Sequence, residues 1–151
     1  MPLRVITLAL LLAACSEPPA PGDDPRASPR DAAKVAFGAQ VYGQHCAACH
    51  GAKLEGQPNW RTRLPNGRLP APPHDESGHT WHHPDGVLFG ITKRGLVPPY
   101  APTEYQSDMP AFGGKLSDEE IWAALAYIKN HWTSRDVLDA RAEMIRNVKE
   151  R

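Results

Sequence analysis

Cysteine is scarce in this chain of 151 residues: there are three, and only two of them stand close together. A second Cys-x-x-Cys pair is missing, so a paired-thiolate zinc site would lack its other half. Charge of one sign is missing as well. Seventeen basic residues face seventeen acidic ones, and no basic block is present that would suit nucleic acid. No apolar run reaches the roughly 20 residues that a membrane-spanning helix needs. No internal repeat is visible. These absences leave one small domain with a modest core.

Residues 1–14, MPLRVITLALLLAA, carry one positive charge at Arg4 and then a short apolar run, the pattern of a secretory signal peptide. The run ends in Leu12-Ala13-Ala14-Cys15, which resembles the lipobox of bacterial lipoproteins. That resemblance implies cleavage before Cys15, acylation of its thiol and amine, and anchorage on the periplasmic side of a bacterial membrane. Loss of these 14 residues removes Arg4 and leaves 16 basic side chains against 17 acidic ones. Residues 15–27 follow as a lipid-anchored, proline-rich linker: SEPPAPGDDPRA offers nothing to bury and favours a stiff, extended tether. The folded domain is expected over 28–132, and a helical extension over 133–151.

Chemistry concentrates in Cys46-Ala47-Ala48-Cys49-His50. In an oxidising compartment two neighbouring thiols are disulfide-bonded, metal-bound or capped. A thioredoxin-like dithiol belongs after a strand, whereas Ala33, Phe37 and Val41 recur ahead of this pair at helical spacing. Zinc would want two further ligands close by. Covalent haem attachment fits best, because thiols three apart lie on one face of a turn and the adjacent histidine can bring its imidazole to iron.

The same stretch resembles class I monohaem cytochromes c. Their first helix typically carries a glycine eight residues and an aromatic four residues before the first haem cysteine, and Gly38 and Tyr42 stand there. Ser28 is expected to cap that helix, with Pro29 at its first position. The resemblance implies an all-α cytochrome c fold, with one haem c bound through Cys46 and Cys49 and ligated by His50. Met109, in Ser107-Asp108-Met109-Pro110-Ala111-Phe112, resembles the axial methionine loop and would be the second metal ligand. Proline after Met109 pushes it towards extended geometry and stiffens the loop. Met144 lies in a charged tail and reads as a packing residue.

Ser117 three before Glu120 forms a capping box, after which Ile121, Leu125, Ile128 and Trp132 recur on one face. The resemblance puts Tyr127 where this last helix crosses the first. A smaller helix is expected over Asp85–Lys93, and Thr133 or Ser134 should start a final one lined by Val137, Leu138, Ala142, Ile145 and Val148.

The middle segment, NWRTRLPNGRLPAPPHDESGHTWHHPDG, is long, proline-rich and aperiodic. By resemblance a proline carbonyl there accepts the outer proton of the axial imidazole. Pro72 and Pro73 are the candidates, and Pro73 is taken. Gly78-His79-Thr80-Trp81 resembles a Gly-x-Thr-Trp element whose indole donates to a haem propionate, a part that would fall to Trp81. Trp60 reads as an aromatic cover, and Arg61, Arg63 and Arg68 as solvated. His74, His79, His82 and His83 are dense enough to suggest a copper or zinc site, although their spacing is not that of a strong one.

The expected function is one-electron transfer in the periplasm between redox proteins, with haem c closed by His50 and Met109, no enzymatic step, and the membrane reached through Cys15. Two alternatives are a copper-handling haem lipoprotein and a gas sensor or enzyme subunit with an exchangeable sixth ligand.

Overall fold

A computed structural model describes residues 23–149. The signal peptide, Cys15 and most of the linker lie outside the described residues. Five helices occur among those described, at Ala32–His45 (α1), Ala47–His50 (α2), Asp85–Arg94 (α3), Asp118–Asn130 (α4) and Arg135–Lys149 (α5). No described residue is in a strand, so the chain is all-α, with the expected extra helix at its end. No described helix is long and apolar enough to cross a membrane.

The two ends of the domain cross. α1 and α4 make the most extensive contact between elements, and its centre is Gly38. A Cβ built there would stand 1.9 Å from the Ala123 carbonyl oxygen, so only glycine lets the two backbones meet. Tyr127 packs beside this point with its ring 5.2 Å from that of Tyr42. α4 is the central element because both its caps and its composition favour it. Ser117 Oγ accepts from Glu120 N–H while the Glu120 carboxylate accepts from Ser117 N–H, closing the capping box. Its alanines let neighbours approach closely, and Ile121, Leu125 and Ile128 are buried. Each such side chain contributes about 1.5–3 kcal/mol of burial. α3 lies against α4 through a Phe89–Trp122 stack at 4.2 Å.

Two expectations at the start of the domain need correction. The cap of α1 is Asp31, whose carboxylate accepts from Lys34 N–H at 3.0 Å, so the helix starts after Ser28 and Pro29. The Ser28 hydroxyl accepts only a long 3.4 Å bond from Arg30 N–H, whereas the Asp31 carboxylate takes the third N–H of the helix. The second correction concerns residues 23–27, which are not free tether. Pro25–Ala27 form a 3-10 turn against α4, with Ala27 fully buried, and Arg26 stands 4.3 Å over the Trp122 ring. Composition alone hides this, because the packing uses one alanine and two charges rather than an apolar run. Of the residues read at helical spacing, Phe37 is 39% exposed, and Gly38, Val41 and Tyr42 form the buried face of α1.

Two long irregular segments, 51–84 and 95–117, fold over the helices. α5 packs on the 3-10 turn Thr80–His82 within the first of them. It is fastened by a group of buried charges. The Arg141 guanidinium donates to the Asp23 and Asp85 carboxylates and to the carbonyls of Trp81 and His83, all within 2.7–2.9 Å. Lys129 of α4 reaches the same two carboxylates at 2.8 and 2.6 Å. Asp85 is 0% exposed. Burial pushes its carboxyl upward against the pull of Lys129 and Arg141. For Asp23 burial also acts upward, but the hydrogen bonds and charges of Lys129 and Arg141 prevail and hold it below its usual value.

Candidate functional site

The site is built where α1 ends. Cys46 caps α1, its N–H donating to the Tyr42 carbonyl, and the chain at once makes the single turn α2. Both Cys49 N–H and His50 N–H donate back to the Cys46 carbonyl, at 3.1 and 2.9 Å. One turn of backbone therefore carries both thiols and the imidazole. Both thiols are free, Cys46 half-buried and Cys49 exposed. Burial, more than the neighbouring Cys49, raises the Cys46 thiol to about 11. A thiol held protonated in this way is unlike the low-pKa nucleophile of a redox dithiol.

Gly51 ends the turn at φ 81°, where an L side chain is strained and would collide with Glu55. The Tyr42 hydroxyl donates to the Gly51 carbonyl at 3.0 Å and so ties the turn back to α1. From there the chain lies against the proline segment. Gly56 N–H donates to the His50 carbonyl, Gln57 N–H to the Ala71 carbonyl, and His74 N–H to the Leu54 carbonyl. This lacing places the Pro72 carbonyl 2.8 Å from His50 Nδ1. His50 is buried, and burial lowers its pKa despite the opposing pull of that carbonyl. The imidazole is thus neutral, with Nδ1 committed as donor and Nε2 left to act as a ligand.

Pro72 therefore takes the part assigned to Pro73. The Pro73 carbonyl instead accepts from the Thr80 hydroxyl at 3.3 Å. Pro73 is gripped from two sides, since a Cβ on Gly56 would meet its nitrogen at 2.4 Å and one on Gly78 its carbonyl oxygen at 2.1 Å. The Gly78-His79-Thr80-Trp81 element thus closes on the proline segment. Its Trp81 indole, expected to face a propionate, donates to the Glu76 carbonyl at 3.3 Å, a partner only five residues away. Cys46, Ala47, Trp81, Phe89 and Met109 are all partly buried and all pack against one hydrophobic cluster. Met109 N–H is held by the Ser107 hydroxyl at 3.0 Å, and the neighbouring Asp108 is paired with Arg68, so that arginine is not merely solvated. Arg63 donates to the Gly67 carbonyl, and Arg61 lies over the Trp60 ring.

The histidine-rich segment does not assemble a metal centre of three or more donors among the described residues. His79 stacks on Trp60 and stands edge-on to His83 at 5.7 Å, while His82 lies against Trp81. His74 leaves this group altogether. Its ring is stacked on that of His50, with centroids 3.8 Å apart and planes 19° from parallel.

The donor set fits a covalently held haem: two unpaired thiols on one turn, a neutral imidazole with one nitrogen free, and a thioether packed on the same apolar cluster. Comparison with known proteins agrees. The cytochrome c family model matches residues 35–132. Cytochrome c6 of Picosynechococcus sp. is 36% identical over 101 residues, which cover 67% of this chain and 76% of that protein. The gluconate 2-dehydrogenase cytochrome c subunit of Pantoea cypripedii is 28% identical over 114 residues, 70% of this chain, and the match spans only 24% of that longer subunit. No solved structure matches. A haem attachment turn at the end of the first of two crossing helices, inside a family match that covers most of the domain, makes this chain a class I monohaem member of the cytochrome c family, with one covalently bound haem c at Cys46 and Cys49.

Proposed function

We propose that this cytochrome is a one-electron carrier on the periplasmic side of a bacterial membrane, held there through Cys15, with His50 and Met109 as the axial ligands of its haem. The observation that carries the reading is the 2.8 Å bond from His50 Nδ1 to the Pro72 carbonyl, which fixes the tautomer and presents Nε2. When bound, haem supplies an iron that changes valence by one electron. The protein's part is to keep the site rigid and dry. Pro72 makes the imidazole more electron-rich, Tyr42 ties the attachment turn to α1, and the Met109 loop is braced by Ser107 and by the Arg68–Asp108 pair. A thioether donor favours the ferrous form more than a second imidazole would. If His50 and Met109 both ligated the iron, no position would be left open for a substrate, and a carrier is therefore favoured over an enzyme or gas sensor. Its donor and acceptor would be redox proteins, and the family likeness to a dehydrogenase's cytochrome subunit is compatible with a dehydrogenase as donor.

Carbon monoxide tests the closure. The reduced holoprotein should resist it, and Met109→Ala should bind it readily. Rapid, complete binding by the unaltered protein would refute the His50–Met109 pair. Anchorage is tested separately by membrane fractionation, where Cys15→Ala should release the protein from the membrane fraction.

A further inference from the structure

We propose that His74 is a positioning residue for the axial imidazole, acting as a flat wall that holds the His50 ring at one rotational setting. The proposal rests on the reading of His50 as an axial ligand. Pro72 constrains His50 at an edge of its ring, through Nδ1. An edge bond tolerates considerable rocking, because hydrogen bonds weaken steeply only far from linearity. The face of the ring needs its own support, and the stacked His74 ring supplies it at 3.8 Å.

The backbone that carries His74 is pinned on both sides. Its N–H donates to the Leu54 carbonyl at 2.8 Å, and its carbonyl accepts the Trp132 indole proton at 2.9 Å. Leu54 is buried and sits at φ 65°, a left-handed setting that a leucine keeps only when its surroundings impose it. Two prolines precede His74 and restrict the chain that delivers it. Beyond His74 lies Tyr42, edge-on at 6.0 Å and anchored by its own hydroxyl. A swing of His50 towards this side would have to move α1, the proline segment and the end of α4 together.

The choice of residue points the same way. His74 Nδ1 is shut off from solvent and has no hydrogen-bond partner, and a polar atom buried so costs stability. Leucine would fill a similar space without that cost. What leucine cannot offer is a planar surface that matches another ring face to face.

The experiment uses the full-length ferric holoprotein and its His74→Phe, His74→Leu and His74→Gln forms. It reads electron paramagnetic resonance g-values and the iron-shifted proton resonances of the haem methyl groups, both of which follow the orientation of the axial ring. His74→Phe should keep the parental pattern. His74→Leu should broaden the low-field g feature and change the spread of the methyl resonances, with His74→Gln deciding if the leucine form does not fold. Parental spectra in a non-aromatic form overturn the proposal, as does equal displacement in the phenylalanine and leucine forms. A parental protein with no iron-shifted His50 ring resonance, after nitrogen-15 labelling of histidine, would instead refute the ligand assignment beneath it.

Discussion

Arg141→Ala removes the residue that fastens α5 to the cytochrome body, and its cost can be worked from the geometry. The guanidinium side chain is 3% exposed and serves two carboxylates and two carbonyls. Breaking a buried ion pair by removing one partner costs about 3–5 kcal/mol, since the remaining charge stays desolvated. The carbonyls of Trp81 and His83 lose donors as well, at about 1 kcal/mol each where water cannot replace them. Lys129 still holds Asp85 at 2.6 Å, and water entering behind α5 offsets part of the rest. The net expectation is about 4 kcal/mol, roughly a 15 °C drop in melting temperature for a domain of this size. Chemical denaturation of the holoprotein, followed by haem absorbance and tryptophan fluorescence together, measures it. Arg135→Ala is the control: its pair with Asp139 is exposed and should be worth under about 0.5 kcal/mol. The sign of a pH dependence follows too. Burial already pushes the Asp85 carboxyl up, and without Arg141 it rises further. A raised carboxyl binds protons more readily folded than unfolded, so the deficit of Arg141→Ala should shrink as pH falls towards the carboxylate range. A loss below about 1 kcal/mol, or a deficit that widens in acid, would show that the charges do not hold the helix.

Gly38→Ala should cost about 3 kcal/mol, because its Cβ would overlap the Ala123 carbonyl and force the two helices apart; a melting temperature within a few degrees of the parent would contradict that. Acid should weaken the histidine segment. Desolvation first, and neighbouring charges after it, lower the pKa of the partly buried His83 and of His79, which keeps an exposed face. Folding therefore favours their neutral forms, so stability contributed above about pH 6.5 is lost as pH falls below it. Denaturation midpoints at pH 7.5 and 5.5 should differ more for the parent than for a His79→Gln, His83→Gln double form, and equal differences would rule this out.

Local spacing in the sequence carries the parts of the site that need no distant partner. The attachment motif and the Ser117–Glu120 box each express their geometry within a few residues, so Cys46 and α4 fall where the pattern puts them, whereas Gly38 and Tyr42, which meet α4 far along the chain, are placed only by resemblance to the family. The proline segment is recognisable from sequence only as something wrapped around a partner. Whether the carbonyl on His50 belongs to Pro72 or Pro73 depends on how Gly56 and Gly78 grip Pro73, which no periodicity encodes. Proximity along the chain groups His74 with His79, His82 and His83. Its backbone bonds to Leu54 and Trp132, 20 and 58 residues away, turn it towards His50 instead.

The buried charges do leave a trace in the sequence, and it is of a general kind. Val137, Arg141 and Ile145 recur four apart on α5, so a lone cation stands in the middle of an apolar stripe. A stripe of that kind packs only if the cation meets buried counter-charges. In the structure those counter-charges are Asp85, at the start of α3, and Asp23, in the proline-rich stretch ahead of the domain, a choice among many acids that the sequence does not make. A cation that needs both of them draws residues 23–27 onto the body, where a tether of the same composition would have stayed in water. Three features that look separate in sequence are thereby one, since the point where the tether joins, the histidine turn and the extra helix all meet at one guanidinium.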